Sequence, residues 1–86
     1  MPEYIDPKEF GLPSRTVIEK ITADTLAIIV DRKSRIIMAD GRKIVDKAEK
    51  IRQGEPGVKI ILKSSAPVCS KTSHFLSEHG VDVERF

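Results

Sequence analysis

The sequence has few of the residues that several specialised protein classes require. Its 86 residues include one cysteine, no tryptophan, one tyrosine and three phenylalanines. A single cysteine excludes a disulfide within the chain and gives no indication of secretion. No apolar stretch approaches the roughly 18 residues of a membrane-spanning helix, and no apolar run follows a basic N-terminal region, as it would in a signal peptide. We therefore expect a cytoplasmic protein with no membrane association.

The chain also lacks a large excess of either positive or negative charge. The chain has 15 basic and 13 acidic residues, a formal net charge of +2. In "DGRKIVDKAEKIRQGE" the two signs alternate, which is typical of a solvated helix face, whereas nucleic-acid-binding surfaces concentrate basic residues. A glycine-rich phosphate loop is absent as well, so the sequence does not support a nucleotide-binding enzyme. We expect no cofactor, and the charge pattern argues against a nucleic-acid partner.

What is present is the composition of one small globular domain, 40% hydrophobic and 33% charged. Residues 1–13, "MPEYIDPKEFGLP", contain three prolines, which interrupt helices and sheet ladders. This segment is predicted to be an extended, proline-rich arm whose apolar side chains could cover the domain or a protein partner. Residues 14–86 are predicted to form a single α/β domain.

Three apolar segments before residue 40 predict strands. "TLAIIVD" and "RIIMA" are rich in β-branched residues, and the polar "RKS" between them has the length of a hairpin turn. "TVIEKI" alternates apolar and polar residues, as a strand does, although Thr16 and Glu19 also fit a helix capping box. We interpret residues 16–21 as a strand, with a helix as the alternative.

The second half of the chain predicts two helices and two strands. "GRKIVDKAEKIRQ" carries an apolar stripe at helical spacing, with Asp40 as its expected N-cap and Gly54 and Pro56 ending it. "VKIILK" is a strand, a second helix opens near Ser65 and Pro67, and "VDVERF" is the last strand. The fold class is therefore α/β, a two-layer sandwich with a mixed sheet and the order βββαβαβ. The last two strands should be parallel, and the helices lie on one face or on opposite faces.

Residues 58–84, "VKIILKSSAPVCSKTSHFLSEHGVDVE", resemble the first strand, active-site turn, first helix and second strand of a glutaredoxin, in the thioredoxin-like superfamily. That family has Cys-Pro-Tyr-Cys at the start of the helix. By position, Ala66 replaces the first cysteine, Pro67 matches the proline, Val68 replaces the tyrosine and Cys69 matches the second cysteine. Phe75, Leu76, Glu78, Gly80 and Val81 correspond to the helix packing and exit residues of the family.

This resemblance covers about 27 of the 86 residues, and the chain departs from the family in three respects. Ala66 replaces the attacking cysteine of the family. The segment "ITADTLAII" has no proline where the family has a cis-proline. A strand pair and a helix come before the matched unit instead of after it. The resemblance implies a thioredoxin-like arrangement in permuted order, and a monothiol redox or thiol-transfer activity centred on Cys69.

The residues themselves give two interpretations of Cys69. A thiol in the first turn of a helix lies near free N–H groups and the positive end of the helix dipole, which favour the thiolate. Cysteine is also among the most frequently buried residue types, so the alternative is a small core residue. The same turn could bind an anion through Ser64, Ser65, Pro67 and Lys71, with simple capping as the alternative.

The candidate metal ligands are Cys69, His74 and His79. Successive candidates are five residues apart, so on a helix they point roughly 140° away from each other. We therefore predict no metal site.

Residues 38–60, "MADGRKIVDKAEKIRQGEPGVKI", resemble the helix and following strand of the archaeal Alba chromatin proteins. This resemblance implies nucleic-acid binding as a third alternative. Our leading prediction is a small binding or accessory domain, with a protein partner or a second copy as its occupant.

Overall fold

The structure, a computed structural model, describes residues 3–14 and 16–85. Outside these ranges lie Met1 and Pro2 of the predicted arm, Arg15 of the predicted domain and Phe86 of the predicted last strand. The elements, in chain order, are β1 (Glu3–Ile5), a 3-10 helix (Pro7–Phe10), β2 (Val17–Thr22), β3 (Thr25–Val30), α1 (Met38–Gly54), β4 (Lys59–Ser64), α2 (Ser70–Glu78) and β5 (Val81–Arg85).

The five strands form one mixed sheet in the order β1-β2-β3-β4-β5. The first three strands are antiparallel neighbours. Strands β3, β4 and β5 run parallel and are joined through α1 and α2. Two crossovers of the same hand in the same direction put both helices on one face of the sheet. The predicted fold class, a two-layer α/β sandwich with a mixed sheet, is confirmed.

The core lies between that face and the helices, and alternation along the strands selects its residues. Ile28, Ile60 and Leu62 point toward the helices and are almost completely buried. On α1, the stripe predicted from helical spacing is the buried face: Ile44, Val45, Ala48 and Ile51. Leu76 and Val81, both fully buried, complete the layer from α2 and β5.

No helix covers the other face of the sheet among the described residues. Lys63 Nζ and Glu19 Oε1 lie 3.2 Å apart and link β4 to β2 across β3. Ala27 and Ile61 are buried on this face although they lie outside the core cluster. Tyr4, Val17 and Ile21 are its exposed apolar side chains.

The predicted strand "RIIMA" is wrong. Only Ile36 pairs, as an isolated parallel bridge with Val68, and Met38 and Ala39 already belong to α1. The third strand before the first helix is instead β1, so the order of elements agrees with the prediction through a different strand. Strand β2 confirms the strand interpretation of the segment that begins at Thr16.

Both helix starts differ from the predictions. Helix α1 begins at Met38, so Asp40 lies in its first turn rather than at the N-cap. Its carboxylate still accepts a hydrogen bond from the Ile37 N–H at 3.0 Å. Helix α2 begins at Ser70 with Cys69 as its N-cap. Ser65 and Pro67 lie before it, in the connection from β4 to α2, because both are hydrogen-bonded to the loop between β3 and α1.

The segment predicted as an extended arm contributes regular structure. Tyr4 pairs with Glu19 in the register of β1 and β2. Phe10 packs so closely on α1 that a β-carbon at Gly54 would lie 2.8 Å from the Phe10 ring. Leu12 is buried in the core. The segment therefore fills part of the helix layer over β1 and β2, where the crossover helices do not reach.

Candidate functional site

A cleft of about 390 Å³ opens at the carboxyl end of β3, between the start of β2 and the first half of α1. It exists because the 3-10 helix and Leu12 cover only part of the sheet beside α1. Of the residues that the structure describes, six apolar and five polar or charged ones line it: Val17, Ile28, Ile29, Val30, Ile36, Ile44, Thr16, Arg32, Asp40, Lys43 and Lys47. This volume and mixed lining are typical of small-molecule sites.

The floor of the cleft is apolar and well packed. Ile28 and Ile36 are 2% and 0% exposed, and Ile44 is 5% exposed. Asp40, Lys43, Ile44 and Lys47 share one face of α1, because residues three and four apart in a helix are neighbours. One helix therefore supplies both an apolar wall and a charged rim.

An ion pair forms part of that rim. Arg32 donates to both carboxylate oxygens of Asp40, at 2.5 and 3.3 Å, and also to the carbonyls of Ser34 and Arg35. The hydrogen bond from Arg32 is the main reason that the pKa of Asp40 is lowered, and the Ile37 N–H adds to the effect. Arg32 and Asp40 thus close the loop before α1 and neutralise each other at the cleft.

Thr16 brings an unsatisfied polar group to the cleft. The residue is 6% exposed, and its hydroxyl has no hydrogen-bond partner within residues 3–14 and 16–85. A buried hydroxyl without a partner costs roughly 1–3 kcal/mol. An acceptor entering the cleft beside Thr16 would remove that cost.

A second cavity, of about 340 Å³, lies at the other end of the same layer. Leu26, Val58 and Phe10 form much of its apolar wall. Its charged residues are Lys20 and three glutamates: Glu3, Glu9 and Glu55. The two cavities are thus similar in size and opposite in the charge of their rims.

Cys69 is a free, partly exposed thiol at the N-cap of α2. The backbone N–H of Lys71 is the main cause of a lowered thiol pKa, followed by that of Thr72, and the Arg35 cation contributes. The side chain of Thr72 also lowers this pKa. The Thr72 hydroxyl is buried and has no hydrogen-bond partner of regular geometry among the described residues. Ala66, at the first-cysteine position of the resemblance, is 1% exposed.

The predicted anion-binding residues have internal roles. The Ser64 hydroxyl donates to the Ala66 carbonyl at 2.9 Å and accepts from the Ala66 N–H at 3.0 Å. The Ser65 hydroxyl donates to Asp31 at 2.7 Å. Pro67 accepts the Ile36 N–H through its carbonyl at 2.9 Å, and Lys71 is exposed. Both hydroxyls are engaged, and anion binding at this turn stays a prediction.

The two histidines lie on exposed parts of α2 and its end. His74 Nε2 and Glu78 Oε1 are 2.7 Å apart, and the rings of His79 and Phe75 have centroids 4.6 Å apart. Over the described ranges, no group of three His, Cys, Asp or Glu side chains is placed to hold a metal ion. Neither α1 nor α2 has the length and apolar character needed to cross a membrane.

The sequence interpretation missed Thr16, Lys43 and Lys47 as site residues. The available signal was their place on the helix: Lys43 and Lys47 flank Ile44 at the border of the apolar stripe. No family model, curated protein or solved structure matches the chain.

Proposed function

We propose that this protein is a small-molecule-binding domain and that the cleft at the carboxyl end of β3 is its site. The observation that most strongly supports this proposal is a cleft of about 390 Å³ with an apolar floor of buried isoleucines beneath a polar rim. The place agrees with a general rule for open α/β sheets, whose ligands bind beyond the carboxyl ends of parallel strands. Here β3 is the strand at which the sheet changes from antiparallel to parallel.

Octanol and octanoate are suitable probes, because each has an aliphatic chain that the isoleucine floor can contact. In methyl NMR spectra of the isotope-labelled protein, we expect saturable shifts for Ile28, Ile36 and Ile44. The Lys43→Trp variant should abolish these shifts, because Lys43 lines the cleft from α1 and is exposed enough to carry a large side chain.

Arg42→Trp is the matched control. Arg42 is the neighbouring residue on α1, is also basic and exposed, and does not line the cleft. Arg42→Trp should therefore bind both probes as the parent does. The proposal fails if neither probe gives saturable shifts, or if the two tryptophan variants bind equally well.

A second candidate is a monothiol redox or thiol-transfer protein that uses Cys69. The observation that favours it is a partly exposed thiol whose pKa is lowered at a helix N-cap. With oxidised glutathione, the Cys69 thiolate would attack one sulfur and form a mixed disulfide. The glutathione S–S bond would break and release one glutathione thiolate.

Alkylation by iodoacetamide across a pH series tests this candidate. The native protein should react with a midpoint at lower pH than the urea-unfolded protein, in which the thiol has its ordinary pKa. Mass spectrometry should also show one glutathione adduct, absent from Cys69→Ser. A native midpoint equal to or above the unfolded one would remove this candidate.

A further inference from the structure

We infer that the ligand of the cleft is an organic anion with an apolar body, bound with its negative group between Lys43 and Thr16 and its body on the isoleucine floor. This inference rests on the proposed function and adds the charge of the ligand to it.

The two cavities differ in the charge of their linings. Among the described residues, the cleft has three basic side chains and one acidic side chain, whereas the second cavity has one basic and three acidic ones. Both have apolar walls, so hydrophobic contacts alone would not separate their ligands. Charge is the property that distinguishes them.

The orientation of α1 acts in the same direction. Its first turn, with Asp40, lies at the cleft, and Glu55, just beyond its last residue, lines the second cavity. The N-terminal end of a helix has a partial positive charge and the C-terminal end a partial negative one. The cleft is therefore at the end of α1 that favours an anion.

Lys43 is the cation that remains for a ligand. Arg32 is held by Asp40 and by two backbone carbonyls, so the acidic residue that lines the described part of the cleft is already neutralised. Lys43 is exposed and forms no ion pair with any residue in the described ranges, although its charge contributes to the lowered pKa of Asp40. Its ammonium group can pair with an anion without breaking an existing contact.

Thr16 supplies the second polar contact. Thr16 lines the cleft, and its buried hydroxyl has no hydrogen-bond partner among the residues that the structure describes. An anionic oxygen is a stronger acceptor than a neutral one. A carboxylate at the rim would accept from Thr16 and lie near Lys43, with its alkyl chain over Ile36 and Ile44.

The test compares three probes with the same alkyl chain: octanoate, octanol and octylammonium. Methyl NMR titrations of the full chain report the cleft through Ile36 and Ile44 and the second cavity through Leu26 and Val58. We expect octanoate to bind the cleft about fivefold more tightly than octanol, the upper end of the range for one partly exposed ion pair. Octylammonium should shift the second cavity in preference to the cleft.

Matched variants identify the contacts. Lys43→Met should weaken octanoate binding roughly fivefold and leave octanol unchanged, whereas Lys71→Met, on α2, should change neither. Thr16→Val should also weaken octanoate roughly fivefold, the scale of one hydrogen bond. Thr72→Val, which removes the other unpartnered buried hydroxyl outside the cleft, should leave octanoate binding intact.

Several outcomes would overturn the inference. Equal affinity for octanoate and octanol in the cleft would refute the anion preference and leave the proposed binding function standing. Loss of octanoate binding in Lys71→Met but not in Lys43→Met would move the anion site to the start of α2. Absence of cleft shifts with all three probes would refute the proposed function together with this inference.

Discussion

The packing of Gly41 on α1 against Thr72 on α2 predicts the effect of Gly41→Ala. A β-carbon on Gly41 would lie 2.7 Å from Thr72 Cγ2 and 3.6 Å from the Phe75 ring. Alanine improves helix propensity by about 1 kcal/mol relative to glycine, but overpacking a core typically costs about 1–3 kcal/mol. Thr72 is fully buried and its branched side chain has few rotamers in a helix. The clash should outweigh the propensity, with a net loss of about 1 kcal/mol in the free energy of unfolding.

Urea unfolding of Gly41→Ala, Thr72→Ser and the double variant measures this balance. Thr72→Ser removes the clashing methyl group and keeps the hydroxyl. In the serine background Gly41→Ala should be neutral or stabilising by up to about 1 kcal/mol, so the two substitutions should be coupled. If their effects add within about 0.5 kcal/mol, as independent sites do, the close contact does not determine the stability, and the reasoning is refuted.

Three further predictions concern stability. Asp40→Asn should lower the free energy of unfolding by about 1 kcal/mol at neutral pH, near the upper limit for a partly exposed pair. Because the folded pKa of Asp40 is lowered, its contribution is present above the unfolded pKa of about 3.9 and is lost as pH falls through the folded value. The difference from the parent should therefore be constant near neutral pH and should close in urea titrations carried below about pH 4; a difference that persists in acid would contradict this. Leu76→Ala should cost about 2–5 kcal/mol, because Leu76 is fully buried, and a loss below about 1 kcal/mol would mean that α2 repacks. Gly80→Ala should cost about 1–2 kcal/mol by thermal or urea unfolding, because Gly80 has φ +75°, and an unchanged stability would show that the turn relaxes.

The sequence predicted the elements whose signals are local. Helix α1 follows from the spacing of Ile44, Ala48 and Ile51, and β4 follows from a short β-branched run between Gly57 and the serines. Strand β3 and the parallel β4–β5 unit were recognisable for the same reason. These segments satisfy their propensity, hydrophobic pattern and end signals at once, so local and global preferences agree.

The incorrect elements depended on contacts between distant residues. Ile36 and Ile37 have the β-branched composition of a strand, yet Ile36 pairs only with Val68, 32 positions later, and Ile37 is 53% exposed at the start of α1. The short strand β1 is favoured by no local pattern, and it forms because β2 offers an edge. Pairing across the sheet overrode local propensity in both cases.

The cleft depends on an even less local property. It lies where the 3-10 helix and Leu12 stop covering the sheet, so its volume reflects how three separate segments pack together. Thr16 shows the same difficulty, because a threonine in a strand-like segment gives no sign that its hydroxyl will lack a partner. By contrast, the position of Cys69 at the start of a helix was predictable to within a few residues.

The β-bridge between Ile36 and Val68 connects the segment that precedes α1 to the segment that precedes α2. The side chain of Ile36 forms the floor of the cleft, while its carbonyl accepts the Cys69 N–H at 3.0 Å and its own N–H donates to Pro67. A displacement of Ile36 would therefore act directly on Cys69 through one hydrogen bond and on Pro67, two residues before it, through the other. We expect the alkylation rate of Cys69 to change when a ligand occupies the cleft, although the reacting sulfur does not line it.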